Sequence, residues 1–290
     1  MQASNFIKLR ICALICAVLL SVQACKKPDH WHIPPGCAKP AACNVEKMLV
    51  TLENDSEYNG PRYPAPYKFY KTYGPDGRVN FIDAFIGPMW TSLYYTGTVQ
   101  YSGNQVYIMH YAFPDTLFSV KLNQCGQPVS AISRYNPGFV QQFTYSYDRK
   151  GRLSKVVWSS GYTDHYEYDQ YDNIVRIHNG VSGEGAFYIS YTYNYSRPAK
   201  GIYLEQDFLH FYATELLEML GLLNLQSHHL RTSMTNTYEY PTGTFLYFDH
   251  VVQNGYVQSY RRGEPGGAGM RVKSEHTWNC GNTGGNSQKY

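Results

Sequence analysis

In the segment "DHYEYDQ", His165, Glu167 and Asp169 alternate onto one side of an extended strand, opposite Tyr166 and Tyr168. Two carboxylates placed across a sugar are what glycoside hydrolysis requires, one to donate a proton and one to attack or to activate water. The same alternation is also the ordinary pattern of a solvated sheet face, and no neighbour of these carboxylates supplies a reason for a raised pKa. Other arrangements carry less. "GVSGEG" holds Gly180 and Ser182 but has Glu184 where a nucleophile elbow needs glycine. "GEPGGAGM" offers glycines with no helix behind them to hold a phosphate. His228 and His229 are adjacent and converge poorly on one ion, and His30, His32, Cys37 and Cys43 lack the paired spacing of a zinc site. The sequence therefore nominates no catalytic residue, no metal site and no cofactor.

The amino end reads as an address. Lys8 and Arg10 precede an apolar run from Ile11 to Val22, interrupted only by Ser21. As a helix that run would rise only about 18 Å, short of the roughly 30 Å hydrocarbon core, so a cleaved signal over residues 1–24 is expected rather than a spanning helix. Val22-Gln23-Ala24-Cys25 resembles the lipobox of bacterial lipoproteins, which implies diacylglycerol on the Cys25 sulfur and an acylated amine, and two or three chains anchor stably. Lys26 and Lys27 stand where an Asp would imply inner-membrane retention in such lipoproteins, so the resemblance implies the outer membrane, facing the periplasm or the surface. Residues 25–44 hold four prolines and read as a stiff tether, with a single β-rich domain expected over 45–290.

The whole chain has 25 Lys and Arg side chains against 22 Asp and Glu; cleavage removes Lys8 and Arg10 and no acid, leaving 23. Nucleic-acid affinity rests on clustered positive charge, so this balance excludes a nucleic-acid partner. Of the cysteines left after the signal and Cys25, Cys37, Cys43, Cys125 and Cys280 form an even set in an oxidising compartment. Two disulfides are expected with three connectivities open, Cys37 with Cys43 being the local choice.

Turn-bearing segments recur: "YGPDGRVNFI" from Tyr73, "YDRKGRLSKV" from Tyr147 and "YDQYDNIVRI" from Tyr168, with weaker relatives from Leu122 and Tyr247. In each, an aromatic or apolar residue closes a strand, polar residues turn the chain, and Gly or Asp-Asn takes the position that needs positive φ. Asp148 and Asp169 are then turn formers that bond nearby amides, not reagents. The pattern resembles the Tyr-Asp repeat of RHS-type proteins, and more closely uncharacterised Bacteroidota lipoproteins built from degenerate copies of it. That resemblance rests on Tyr147, Asp148, Gly151 and Arg152, with Tyr168, Asp169, Asp172 and Asn173 as a variant.

The expected fold is mainly β: a curved antiparallel meander sheet of such hairpins, with one long amphipathic helix near residues 205–221 packed on its aromatic face. Phe143, Tyr145 and Tyr147 share one side of a strand, as do Phe187, Ile189, Tyr191, Tyr193 and Tyr195. Phe208, Phe211, Tyr212, Leu216, Met219, Leu220 and Leu223 fall at helical spacing, and Gly221 marks a stop. The chain holds 29 Tyr against 13 Phe, and rings left uncovered would offer a platform for a glycan or an envelope protein. Tyr145, Tyr147, Tyr166, Tyr168, Tyr191 and Tyr193 are its candidates, with Trp90, Trp158 and Trp278 as possible additions. Two functions follow: an envelope-anchored, non-enzymatic binding or scaffold protein, or an envelope carbohydrate hydrolase using the acidic strand face.

Overall fold

A computed structural model describes residues 43–53, 68–75, 77–86, 93–110, 116–136, 139–180, 187–201, 212–237, 243–263 and 271–280. The signal segment, Cys25, residues 26–42 of the expected tether, Cys37 among them, and Trp90 lie outside the described residues, whereas Asn44 already belongs to the first strand. All described residues belong to one compact unit, Ala38–Tyr290.

Alternating apolar and polar residues, broken by turn residues, produce sixteen strands among the described residues. They are β1 (Asn44–Glu53), β2 (Lys68–Tyr73), β3 (Val79–Ile86), β4 (Leu93–Ser102), β5 (Gln105–His110), β6 (Thr116–Leu122), β7 (Pro128–Asn136) and β8 (Phe139–Tyr147). The second half comprises β9 (Leu153–Trp158), β10 (Thr163–Tyr168), β11 (Ile174–Gly180), β12 (Phe187–Gly201), β13 (Ser227–Asn236), β14 (Gly243–Gln253), β15 (Tyr256–Gly263) and β16 (Arg271–Asn279). Each strand pairs with its sequence neighbour, and β1 pairs antiparallel with β16 from Asn44↔Asn279 to Glu53↔Arg271. The expected open sheet is therefore corrected to a closed barrel. Pairing of the first and last strands removes both edges, which an open meander of this length would leave as unpaired amides and carbonyls.

The helix is corrected as well. Helix α1 spans only Tyr212–Met219, while Phe208 and Phe211 lie outside the described residues. It ends where Gly221 adopts a φ of 75°, with Gly221 N donating to Glu218 O and Leu222 N to Leu217 O, a Schellman cap. Every position from Ala213 to Leu220 is buried, Thr214, Glu215 and Glu218 included, so this helix has no solvent face.

Two contacts locate it. Lys71 of β2 donates to Met219 O at 2.6 Å, and the buried Tyr166 side chain of β10 lies beside Thr214. Strands β2 and β10 are eight steps apart around the sixteen-strand ring, so α1 bridges opposite walls from within the lumen. The inward face around it is apolar and aromatic: Phe69, Ile82, Ile108, Phe118, Phe143 and Val156 are all buried. The outward face is mainly polar, with Tyr70, Val140, Leu246 and Val251 as exposed apolar exceptions. Lys121, Gln142, Thr144, His165, Glu167 and Glu275 are exposed while their strand neighbours on either side point inward or are half-buried.

Cys43, just before β1, is disulfide-bonded to Cys280, just after β16. The local pairing of Cys37 with Cys43 is thereby overturned: the bond joins residues 237 positions apart because barrel closure brings the chain's first and last strands together. Cys125 is also disulfide-bonded, with its partner outside the described residues.

Candidate functional site

Sequence-adjacent strands alternate in direction, with the end of β12 also pairing parallel to β15 at Lys200↔Tyr256, and so divide the barrel into two rims. One of them, the turn rim, carries the β2–β3, β6–β7, β8–β9 and β10–β11 turns, the connection through α1 and the Cys43–Cys280 bond.

Its turns share one geometry. Asp148 N donates to Arg152 O, and Gly151 N to Asp148 O, while Asp148 Oδ1 accepts from Lys150 N and Arg152 N at 2.9 Å each. Twenty-one residues on, Asp169 and Asn173 repeat the outer backbone bond, and Asp169 Oδ1 accepts from Tyr171 N and Asn173 N at 2.9 Å each. Asn123 does the same for Cys125 N and Gln127 N, and Gly74 with Arg78 keeps only the backbone bond. Gly151 sits at φ 76° and Asp172 at 65°, the left-handed position that closes each turn. Burial raises the Asp148 and Asp169 carboxyls, but hydrogen bonds from Arg152 and Lys150 to the first, and from Asn173, Tyr195 and Tyr171 to the second, outweigh it. Both are held below the ordinary carboxylate range.

The tyrosines that close these strands form a ladder. The hydroxyls of Tyr147, Tyr168 and Tyr193 donate to Pro128 O, Leu153 O and Ile174 O at 2.7, 2.8 and 2.7 Å. Each accepting carbonyl stands five residues after Asn123, Asp148 or Asp169, the residue that opens the preceding turn.

All six platform candidates point inward. Tyr145, Tyr166, Tyr191 and Tyr193 are buried, and Tyr147 and Tyr168 are half-buried against the core. Trp158 is buried with its Nε1 donating to Asp164 Oδ2 at 2.7 Å, and Trp278 Nε1 donates to Val257 O. The trio His165, Glu167 and Asp169 does not converge on a cleft. Glu167 faces outward and meets His178 at 3.2 Å, while Asp169 lies beyond the end of β10, inside its turn.

The sequence reading missed two arrangements. The first is a buried Ser274–His276 pair, with Oγ and Nε2 2.9 Å apart and Nδ1 3.3 Å from Val257 O. Burial pushes the His276 imidazole down to about 4, a value the Val257 carbonyl raises only in part. Ser274 and His276 alternate inward on β16 against Tyr260 and Trp278, closed off from substrate, which makes the pair a core contact. A nucleophile so enclosed has no route to an acyl group.

The second is a ring cluster on the turn rim. Tyr171, Tyr195 and His229 meet with centroids 5.3 Å (Tyr171–Tyr195), 5.1 Å (Tyr171–His229) and 5.3 Å (Tyr195–His229) apart. Alternation alone put Tyr195 on the inward side with Tyr191 and Tyr193. The register shift between Asn194 and Pro198 places Tyr195 among the extra residues of a bulge in β12, which turns it out. The Tyr195 hydroxyl donates to Asp169 Oδ2 at 3.0 Å, and Asn173 joins the cluster to β13 by contacting His229 Nδ1 and accepting from the His228 and His229 amides. Beside the rings, Asp172 Oδ1 accepts from Lys150 at 3.1 Å and from Arg152 at 2.6 Å.

These features define, among the described residues, a closed antiparallel β-barrel with a mainly apolar interior and a mainly polar exterior. No family model matches the chain, and no curated protein matches it. Among solved structures it is similar to a porin-like protein from Bacteroides uniformis ATCC 8492, at 15% identity over 83% of this chain and 100% of that one, with a TM-score of 0.60. A porin-like protein from Bacteroides vulgatus ATCC 8482 matches at 12% identity over 81% of this chain and 98% of that one, with a TM-score of 0.48. The first likeness is one of fold.

Proposed function

We propose that this chain is a non-enzymatic binding or scaffold protein of the bacterial envelope, held at the outer membrane by lipid on Cys25 and presenting a water-facing barrel to a glycan or protein ligand. One observation carries the reading: the described barrel is mainly apolar inside and mainly polar outside, the reverse of a barrel that crosses a membrane. A spanning barrel needs an outward apolar band about 25 Å tall and keeps its polar side chains in the lumen. Here exposed Lys121, His165, Glu167 and Glu275 point outward, and α1 occupies the lumen. The envelope location is supported by the signal-like amino end and the resemblance of residues 22–25 to a lipobox, and it fits the porin-like description of the B. uniformis barrel.

The reading is tested with the full chain and its Cys25→Ser variant. The wild type is expected to incorporate labelled palmitate and to partition with membranes, and the variant to lose the label and become soluble once folded. Neither should support ion conductance in planar bilayers. Stable channel currents, or membrane insertion of the unlipidated variant, would overturn it.

A further inference from the structure

We propose that the partner of Cys125 is Cys37, so that a second disulfide fastens the lipid-bearing tether to the β6–β7 turn and joins the barrel to its anchor at two points. The inference rests on reading the chain as a lipoprotein, because that reading decides which sulfurs are free to pair. The sequence holds seven cysteines. Cys43 and Cys280 are bonded to each other, and Cys125 is bonded to one of the others, Cys12, Cys16, Cys25 or Cys37. Cys12 and Cys16 leave with the signal, and a Cys25 sulfur held as a thioether to diacylglycerol cannot also form a disulfide. Cys37 is what is left.

The β6–β7 turn holds a sulfur out for such a bond. Cys125 takes the position of Lys150 and Tyr171 in the other two turns, two residues after the Asn or Asp whose Oδ1 accepts its amide, here at 2.8 Å. That position is the tip of the turn, where Lys150 and Tyr171 are exposed and Cys125 is half-buried. Gly126 at φ 74° closes the turn, and Gln127 Nε2 ties it to Gly151 O at 2.8 Å, so the sulfur is held in place. The turn lies on the same rim as Cys43, with five strand spacings, about 24 Å along the wall, between β1 and β6. The six residues from Cys37 to Cys43 reach about 20 Å, and a disulfide adds about 5.5 Å between Cα atoms, which together match that span.

Bond formation takes two protons and two electrons from the Cys37 and Cys125 thiols. Thiol–disulfide exchange passes them to an oxidised dithiol protein of the envelope, which leaves as its dithiol. The consequence is mechanical. Through the backbone alone the lipid leash would run eighteen residues from Cys25 to Cys43, up to about 60 Å, whereas the bond ends it after twelve, at about 40 Å. It also keeps lipid and barrel joined when the chain between Cys37 and Cys43 is cut.

A site-specific protease sequence inserted between Ala41 and Ala42 of the full chain tests this. After cutting in isolated membranes, the barrel is expected to stay in the membrane pellet and to be released when dithiothreitol is added. With Cys125→Ser in the same chain, cutting alone should release it, and the uncut variant should stay bound. Reduction also opens Cys43–Cys280, which lies within the barrel and holds no lipid, so the Cys125→Ser comparison assigns the retention to the second bond. Release of the Cys125-containing barrel by cutting alone overturns the proposal. Non-reducing peptide mapping of the wild type, with fragmentation between Cys37 and Cys43, needs no variant to fold: Cys37 should be joined to Cys125, and Cys125 joined to Cys12, Cys16 or Cys25, or Cys37 recovered as a thiol, overturns it equally. The palmitate label reads the anchor separately. Labelled protein released by cutting alone loses only the second bond, and unlabelled protein with Cys37 joined to Cys125 loses only the lipid.

Discussion

Arg152 Nη1 donates to Asp172 Oδ1 at 2.6 Å, tying the turn of one hairpin to the turn of the next. The same guanidinium holds Asp148 of its own turn and lies 4.3 Å from the centroid of the Tyr168 ring. Gln127 has the corresponding role in the preceding hairpin, donating to Gly151 O at 2.8 Å. Successive turns along this stretch of the rim are thus linked by the side chain that follows each left-handed residue.

Asp148→Ala removes two amide contacts and an ion pair that is about three-quarters covered. We expect a loss of about 2 kcal/mol in urea unfolding. Asp148→Asn should lose about half as much, since Asn123 makes the same two amide contacts in its own turn.

Tyr147→Phe, Tyr168→Phe and Tyr193→Phe each delete one rung of the hydroxyl ladder while keeping the ring. Each should cost about 1 kcal/mol, measured by urea unfolding, with Tyr193 the most costly because its accepting carbonyl is left in a buried setting.

Gly97 lies inside β4, and a Cβ there would stand 1.7 Å from Met109 O on the paired strand. Backbone cannot yield as a flexible side chain does, so Gly97→Ala should force β4 and β5 apart. A loss of at least about 3 kcal/mol, or failure to accumulate folded protein, is expected by circular dichroism and thermal melting.

Cys280→Ser opens the staple at the barrel seam. Chain-entropy arithmetic for so long a loop assigns the bond roughly 5 kcal/mol. Denaturant titration without reductant should show Cys280→Ser less stable than the wild type by a similar amount, and reduction, which also opens the Cys125 disulfide, should erase that difference.

The lumen predicts a pH dependence. Burial pushes the Glu218 carboxyl up to about 8, with the Leu225 amide and Lys71 opposing, and burial pushes Lys71 down to about 8, with Glu218 and Glu46 opposing. Glu218 thus contributes stability that is full below its ordinary value of 4.5 and is lost as pH rises through about 8. Lys71 contributes stability that is full above 10.5 and is lost as pH falls through about 8, so their joint contribution is lowest near pH 8. The stability difference between wild type and Glu218→Gln should fall by on the order of 2 to 4 kcal/mol between pH 5 and pH 8 in parallel chemical denaturations. A difference that is flat with pH would show that the carboxyl titrates normally.

Local chemistry was legible in the residues alone. The roles of Asp148, Asp169, Gly151 and Asp172 depend on contacts within five positions, so Asp-x-x-Gly-Arg and Asp-x-x-Asp-Asn declare their turns without any knowledge of distant partners. Strand periodicity likewise placed Tyr145 and Tyr191 on one face. Closure could not be read in this way, because the pairing of Asn44 with Asn279 and the Cys43–Cys280 bond join the two ends of the described chain and depend on the accumulated twist of every strand between them. Tyr195 escaped for a related reason: a bulge changes which face a residue occupies, and a period of two does not register the extra residues. Residue type and spacing determined hairpins with an aromatic face, whereas the tertiary structure alone decided that this face would turn inward around α1. A sheet wrapped into a ring covers its apolar face with itself and the described helix, so no open face is left to water.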